Sequence, residues 1–384
     1  MNIINKVAII ILAYSDYESL EISLACHANF LNENYKFFIL QNGRGNYDCE
    51  MTYNVAKRYE NLYPNNFEVI DYIPPQPPYL SIKELLNDRK LSKYDYICKL
   101  DDDVFPITKN WLEELCNTYE KQYCIHKEKL GYITSLVNNN PWGTKRVIDF
   151  LDLSKDYIEK YSRDHYVGFS KEDQYCPLRL IKRGNYFDGG AGTIWRLPYL
   201  ARWVHYNTTL QPDKFIAATR NKRVEEVNNQ ERYSINCMLF KKDFWNKIDC
   251  GSRDDEYQVM LYCKNKKLKI FANLEVPMVH LFFFTQRIEN KDLVALIKNY
   301  YSNYLKLNFP ISLCTDKYSD IENRLKFIES GIIEYGNKVE RQSFLTISNK
   351  LKLIKYKLFS NITFGKTRSH YKHKYMIFFN KMRH

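Results

Sequence analysis

The chain has 384 residues, 45% of them hydrophobic and 27% charged, which fits globular polypeptide long enough for two or three domains and excludes a wholly disordered chain. The formal charge of +12 is unevenly placed. Residues 341–384 hold 11 Lys or Arg and no Asp or Glu, which leaves +1 on the rest, so the basic character does not belong to the body of the protein. Ten cysteines are scattered without a C-x-x-C pair and read as reduced, buried thiols rather than a zinc site.

The first elements alternate. Val7–Tyr14 is a β-branched apolar run, too short to cross a bilayer and not followed by a small-residue cleavage site. It reads as a buried first strand, with Ser15-Asp16 as turn and helix cap. Glu18 to Leu31 has helical spacing, with Leu20, Leu24 and Ala28 on one face. Lys36–Leu40 is a second strand stopped near Asn42-Gly43, Thr52–Leu62 a helix and Phe67–Ile73 a third strand. Pro74-Pro75-Gln76-Pro77-Pro78 reads as extended loop and Ile82–Leu91 as helix. Tyr94–Leu100 is a fourth strand that runs into Asp101-Asp102-Asp103.

Such alternation predicts a mostly parallel sheet covered by helices on both faces, with ligands beyond the carboxyl ends of the strands. Past Pro106, Trp111–Tyr119 reads as helix, Tyr132–Val137 as strand, Tyr257–Cys263 as a short helix and Leu268–Phe271 as a strand. Residues 150–184 are charged, aromatic and weakly periodic, and the chain beyond about 286 reads as helices ending in the basic tail.

Four groups could carry chemistry. Three adjacent carboxylates at the end of an apolar strand repel one another, and a divalent cation is the simplest remedy. Mg²⁺ and Mn²⁺ prefer oxygen ligands and often bind substrate phosphates as well. Along an extended chain Asp101 and Asp103 point the same way, so one can reach the metal while the other holds ribose, sugar or a metal-bound water. Asp254-Asp255 precedes a helix, so one of them caps that helix or serves as the base for an acceptor hydroxyl. Asp188-Gly189-Gly190-Ala191-Gly192 is a tight turn or a place of close backbone approach to a ligand. His280, on an apolar strand, is either a satisfied core residue or a metal or diphosphate contact.

Together these segments resemble the GT-A fold glycosyltransferases, especially their large family 2-like group. Val7–Ala13 with Tyr14-Ser15-Asp16 is similar to the first strand and base-binding loop of that group, and Ile39–Gly43 to its second strand, with Gln41 in place of an acid. Tyr96–Asp103, then Pro106 and Trp111–Leu115, resembles the D-x-D segment and its following helix. Phe187–Gly192 is similar to the glycine-rich donor or acceptor loop, and Asp254–Lys264 to the Glu-Asp helix segment.

The resemblance implies a GT-A, Rossmann-like α/β fold with a C-terminal helical extension. Residues 1–105 would be the nucleotide-sugar-binding half, 106–285 the acceptor-binding half and 286–384 the extension with its basic tail. It implies a metal-dependent, inverting transferase of the hexosyl type. Ala13, Tyr14, Asp16, Asn42, Asp101, Asp102, Asp188, Gly189 and Gly190 would hold the donor, a UDP-sugar being the commonest. Asp103, with Asp101 and His280, would hold Mn²⁺ or Mg²⁺, and Asp255 or Asp254 would be the base.

A nucleotidyltransferase that makes the nucleotide-sugar is the neighbouring alternative, but Ala13-Tyr14-Ser15-Asp16 lacks the glycines that such a loop usually has. A nucleic-acid-binding protein is the other, and nucleic acid is not the expected partner because no recognition motif accompanies the charge. The tail interleaves Lys350, Lys352, Lys355 and Lys357 with Leu351, Leu353, Ile354, Tyr356 and Phe359. It reads as a contact to an anionic membrane surface or as a solvated terminal segment. The expected setting is cytoplasmic, peripheral on the inner face of the cytoplasmic membrane, with a bacterial surface glycan or lipid-linked glycan as acceptor.

Overall fold

A computed structural model describes residues 3–72, 76–140, 142–161, 198–227, 236–248, 255–281 and 290–306. All of these fall in one unit, Met1–Ser312. The predicted apolar runs form β1 (Val7–Ala13), β2 (Phe37–Asn42), β3 (Phe67–Tyr72) and β4 (Tyr96–Asp101). Between them lie α1 (Tyr17–Asn29), α2 (Tyr47–Leu62) and α3 (Pro78–Asn87). Pro78 is the first residue of α3 rather than loop, because a proline at this position lacks only an N–H that would have no helical partner.

β5 (Val104–Pro106) follows the acidic run, then α4 (Trp111–His126) and β6 (Leu130–Val137). α5 (Gly143–Phe150), α6 (Ser154–Tyr161), α7 (Pro198–Asn207) and α8 (Pro212–Thr219) come next. The short β7 (Val224–Glu226), β8 (Cys237–Lys241), α9 (Lys242–Asn246), α10 (Asp255–Lys266), the twelve-residue β9 (Lys269–His280) and α11 (Lys291–Tyr304) complete the described chain.

The strands form one sheet in the order β3-β2-β1-β4-β8-β6-β9-β5, with β7 also on β9. β3, β2, β1 and β4 pair in parallel, as do β6 and β9. β8 is antiparallel between β4 and β6, and β5 and β7 are antiparallel to β9. Six of the nine strands thus run in one direction, and the α/β class with a mostly parallel sheet holds.

The core explains the sequence pattern. β1, β2 and β4 are apolar without alternation because helices cover both of their faces. α1 is buried along most of its length, and this is why it carries the buried polar residues Ser19, Glu21, Ser23 and His27. α11 contributes Leu293, Val294, Ile297 and Tyr301 to the same core as β1 and β2, and Tyr301 meets Phe105 edge-on. The seven described cysteines are free, six of them buried. Among the described residues, no helix is long and apolar enough to cross a membrane.

Candidate functional site

The parallel register brings the ends of β1, β2 and β4 level: Leu12 lies beside Asp101 and Ala13 beside Gln41. Ala13 is fully buried, while the Tyr14 ring just beyond it is 49% exposed at the lip of the sheet. Gln41 Nε2 donates to the Tyr14 carbonyl at 3.0 Å and the Gly43 carbonyl at 2.8 Å, fastening both loops together. Asn42 is engaged by its own fold: its side chain bonds the Gln76 backbone in both directions and accepts from Ser81 Oγ at 2.9 Å. Asp16 caps α1 through the Ser19 N–H at 3.2 Å, the role that its position before a helix predicts.

Asp101 is the last residue of β4, and Asp102-Asp103 turn the chain into β5. β5 lies antiparallel to the end of β9, with Val104 opposite His280. The turn is pinned from both sides. Leu281 N–H donates to the Asp103 carbonyl at 3.0 Å, and Ser23 Oγ of α1 donates to the Val104 carbonyl at 2.9 Å. Burial drives the His27 imidazole down to about 3, so its neutral ring contacts that same carbonyl, at 3.2 Å. Asp102 faces the Tyr14 N–H at 3.4 Å.

The consequence is a three-residue cluster. Asp103 Oδ1 is 3.3 Å from His280 Nε2, and Asp101, Asp103 and His280 each offer an atom within 4.8 Å of the others'. Asp103 and His280 are buried, and Asp101 is partly exposed. Nδ1 of His280 is 2.7 Å from the Asn139 carbonyl, a contact that requires its proton and turns Nε2 toward Asp103. Burial alone would lower the His280 pKa. The Asp103 charge and hydrogen bond, the Asn139 carbonyl and the Asp101 charge outweigh it and raise the value above the usual 6.5. Two carboxylates and one oriented imidazole form a donor set that suits Mn²⁺ and accommodates Mg²⁺. The residues present therefore fit the cation that the acidic run implies.

Several supporting residues escape a reading of the sequence. Asn138 Oδ1 accepts from the His280 N–H at 2.9 Å, and its Nδ2 donates to Thr208 and Thr209, just past the end of α7. His205 of α7 contacts the Leu281 carbonyl at 2.6 Å and Thr209 at 2.8 Å, and burial drives its pKa down to about 4. Asn236 Nδ2 donates to Asp101 Oδ2 at 3.0 Å and lies 3.4 Å from His280 Nε2. The buried ammonium of Lys99 contacts Asp101 Oδ1. The available signals were three consecutive asparagines after an apolar strand and a lysine inside one.

Asp188, Gly189, Gly190 and Asp254 lie outside the described residues, as does the tail. Asp255 is the first residue of α10.

No protein-family model matches the chain, and no curated protein sequence matches it. Among solved structures, the chain is similar to the mannosyltransferase PcManGT from Pyrobaculum calidifontis, solved with GDP-Man and Mn²⁺. Identity is 9% and the TM-score 0.41, over 97% of this chain and 85% of that one. It is similar to GalNAc-T7, solved with UDP, GalNAc and Mn²⁺, at 9% identity and a TM-score of 0.44, over 85% of this chain and 55% of that one. It is also similar to residues 1–349 of TarS from S. aureus, at 11% identity and a TM-score of 0.36, over 98% and 91%. At these scores the likenesses carry no weight for activity.

Proposed function

We propose that this protein is a metal-dependent, inverting glycosyltransferase that moves a sugar from a nucleoside-diphosphate sugar to a glycan or lipid-linked glycan. The observation that carries this reading is the meeting of Asp101, Asp103 and His280 at the carboxyl edge of a parallel sheet, level with the open end of β1. Asp103 and His280, with Asp101, would hold Mn²⁺ or Mg²⁺. A bound ion would neutralise charge on the departing diphosphate.

The chain's own groups do the rest. The exposed Tyr14 ring offers a face to the donor base, a uracil in the commonest case, beside Ala13 and Asn42. Asp101 and Asp102 line the edge where ribose and sugar hydroxyls would bind. Asp188, Gly189 and Gly190 are assigned to the sugar pocket on their sequence alone. Asp255, or its neighbour Asp254, takes the proton of the acceptor hydroxyl as that oxygen bonds to the anomeric carbon and the bond to the diphosphate breaks on the opposite face. The basic tail is assigned to an anionic membrane surface, which would place the enzyme beside lipid-linked acceptors.

The test is a thermal-shift screen of nucleoside diphosphates and their sugars, with and without Mn²⁺, because a ligand that binds only the folded chain raises its stability. The reading requires at least one nucleotide whose stabilisation depends on the ion. Stabilisation by none of them, or by one regardless of metal, would overturn it.

A further inference from the structure

We infer that Lys99 is a positioning residue that holds Asp101 and, by offsetting one negative charge of the acidic cluster, tempers its affinity for a divalent cation. The inference rests on the reading of Asp101, Asp103 and His280 as a metal site. Lys99 lies inside β4, between Cys98 and Leu100, opposite Ile10 of β1 and Met238 of β8, and is 1% exposed. An ammonium in such surroundings is costly unless an anion compensates it. Its partner is Asp101, two residues on and on the same face of the strand.

With Lys99 on Oδ1 and Asn236 on Oδ2, Asp101 is held at both oxygens and cannot swing freely. Ionised, the two carboxylates of the donor set carry two negative charges, and Lys99 offsets one of them. Without Lys99 the same acids would attract a cation more strongly and Asp101 would lose its anchor.

This gives a direction that loss of packing alone would not produce: removing the lysine charge tightens metal binding. Mn²⁺ affinity of the full chain, without nucleotide, can be read from the electron paramagnetic resonance signal of the free ion, with circular dichroism melts to verify folding. Lys99→Gln keeps a donor toward Asp101 and should bind Mn²⁺ at least about tenfold more tightly, since a unit charge one carboxylate away from a divalent ion matters by that much even with water-like screening. Lys99→Arg keeps the charge and should stay within about twofold of wild type.

A folded Lys99→Gln protein with unchanged or weaker affinity would overturn the inference and leave the metal site standing. So would a folded Lys99→Arg protein whose affinity moves about tenfold, which decides the matter if the glutamine variant does not fold. Absence of saturable Mn²⁺ binding by the wild type would overturn the metal reading and this inference with it.

Discussion

Replacing Asp103 by asparagine keeps the shape of a side chain that is 1% exposed and leaves the backbone contact from Leu281 to the Asp103 carbonyl in place. What it removes is the charge 3.3 Å from His280 Nε2. The cluster then loses one of its two carboxylates and the group that does most to keep the imidazole basic. Loss of outer partners of a metal site typically weakens binding ~10- to 100-fold, so the loss of a direct, charged ligand should reach at least about 100-fold, or ~2.8 kcal/mol. Melting with Mn²⁺ at 100 times the wild-type Kd turns this into a shift. The wild type should gain ~2.7 kcal/mol, whereas the variant, at a concentration equal to its own Kd, should gain ~0.4 kcal/mol. At about 2.1 cal/mol/K of unfolding entropy per residue, a chain of 384 residues shifts by about 1.2 °C per kcal/mol, so the two shifts are about 3 °C and about 0.5 °C. Equal Mn²⁺-induced shifts in the two proteins would remove Asp103 from the coordination sphere and refute the reasoning.

Other expectations follow from the same geometry. His280 must release its Nε2 proton to bind a cation, so Mn²⁺ affinity should fall by up to about tenfold per unit as pH drops below the raised His280 pKa; a flat titration between pH 5.5 and 8.5 would exclude the imidazole. In the metal-free protein the sign is opposite: protonated His280 stabilises the fold fully below about 6.5, and this contribution is lost as pH rises through the raised value, which metal-free melts across the same range would show. Gly143→Ala would drive a methyl group into the Val137 carbonyl oxygen and to 2.8 Å from Asn140 Oδ1, at a cost of about 2–3 kcal/mol in urea unfolding. Lys298→Met would leave the fully buried Glu21, among the described residues, with the Arg58 guanidinium 3.7 Å away as its cation in place of the ammonium at 2.5 Å. It should cost about 3 kcal/mol by the same measurement. Asp255→Asn should keep metal-dependent donor binding and abolish transfer to acceptor; transfer at the wild-type rate would disqualify Asp255 as base.

The amino-terminal half of the sheet was legible because each strand there is a continuous apolar run between turn residues. The predicted Phe67–Ile73 is a strand from Phe67 to Tyr72, and Ile73 lies outside the described residues. Helix ends were less legible: α4 runs on to His126, well past the predicted Tyr119, because none of residues 120–126 is buried and so no apolar periodicity marks the last turns. β8 was not foreseen. It is five residues long, antiparallel, and inserted between β4 and β6, so its neighbours are far away in the sequence. The acids of the site could be found because like charges at a strand end need an explanation. Asn138, Asn139, His205 and Asn236 could not, since polar residues reveal a buried network only when the fold brings them together. Lys99 stood in plain view, but a lysine in an apolar run has no meaning until its anion is seen.

The antiparallel contact between β5 and the end of β9 gives the site a temporal order. Asp103 and His280 are separated by about 180 residues, so during synthesis the acids leave the ribosome long before the imidazole that faces them. β1 to β4 can assemble early from local crossovers, whereas the cluster closes only when the ninth strand has threaded in beside the sixth. A nascent or truncated chain ending before residue 269 would retain the strand that bears Lys99 and the acids but lack the cluster. Capture of the ion would then mark a closed sheet, and would add its stabilisation only once β9 is in place.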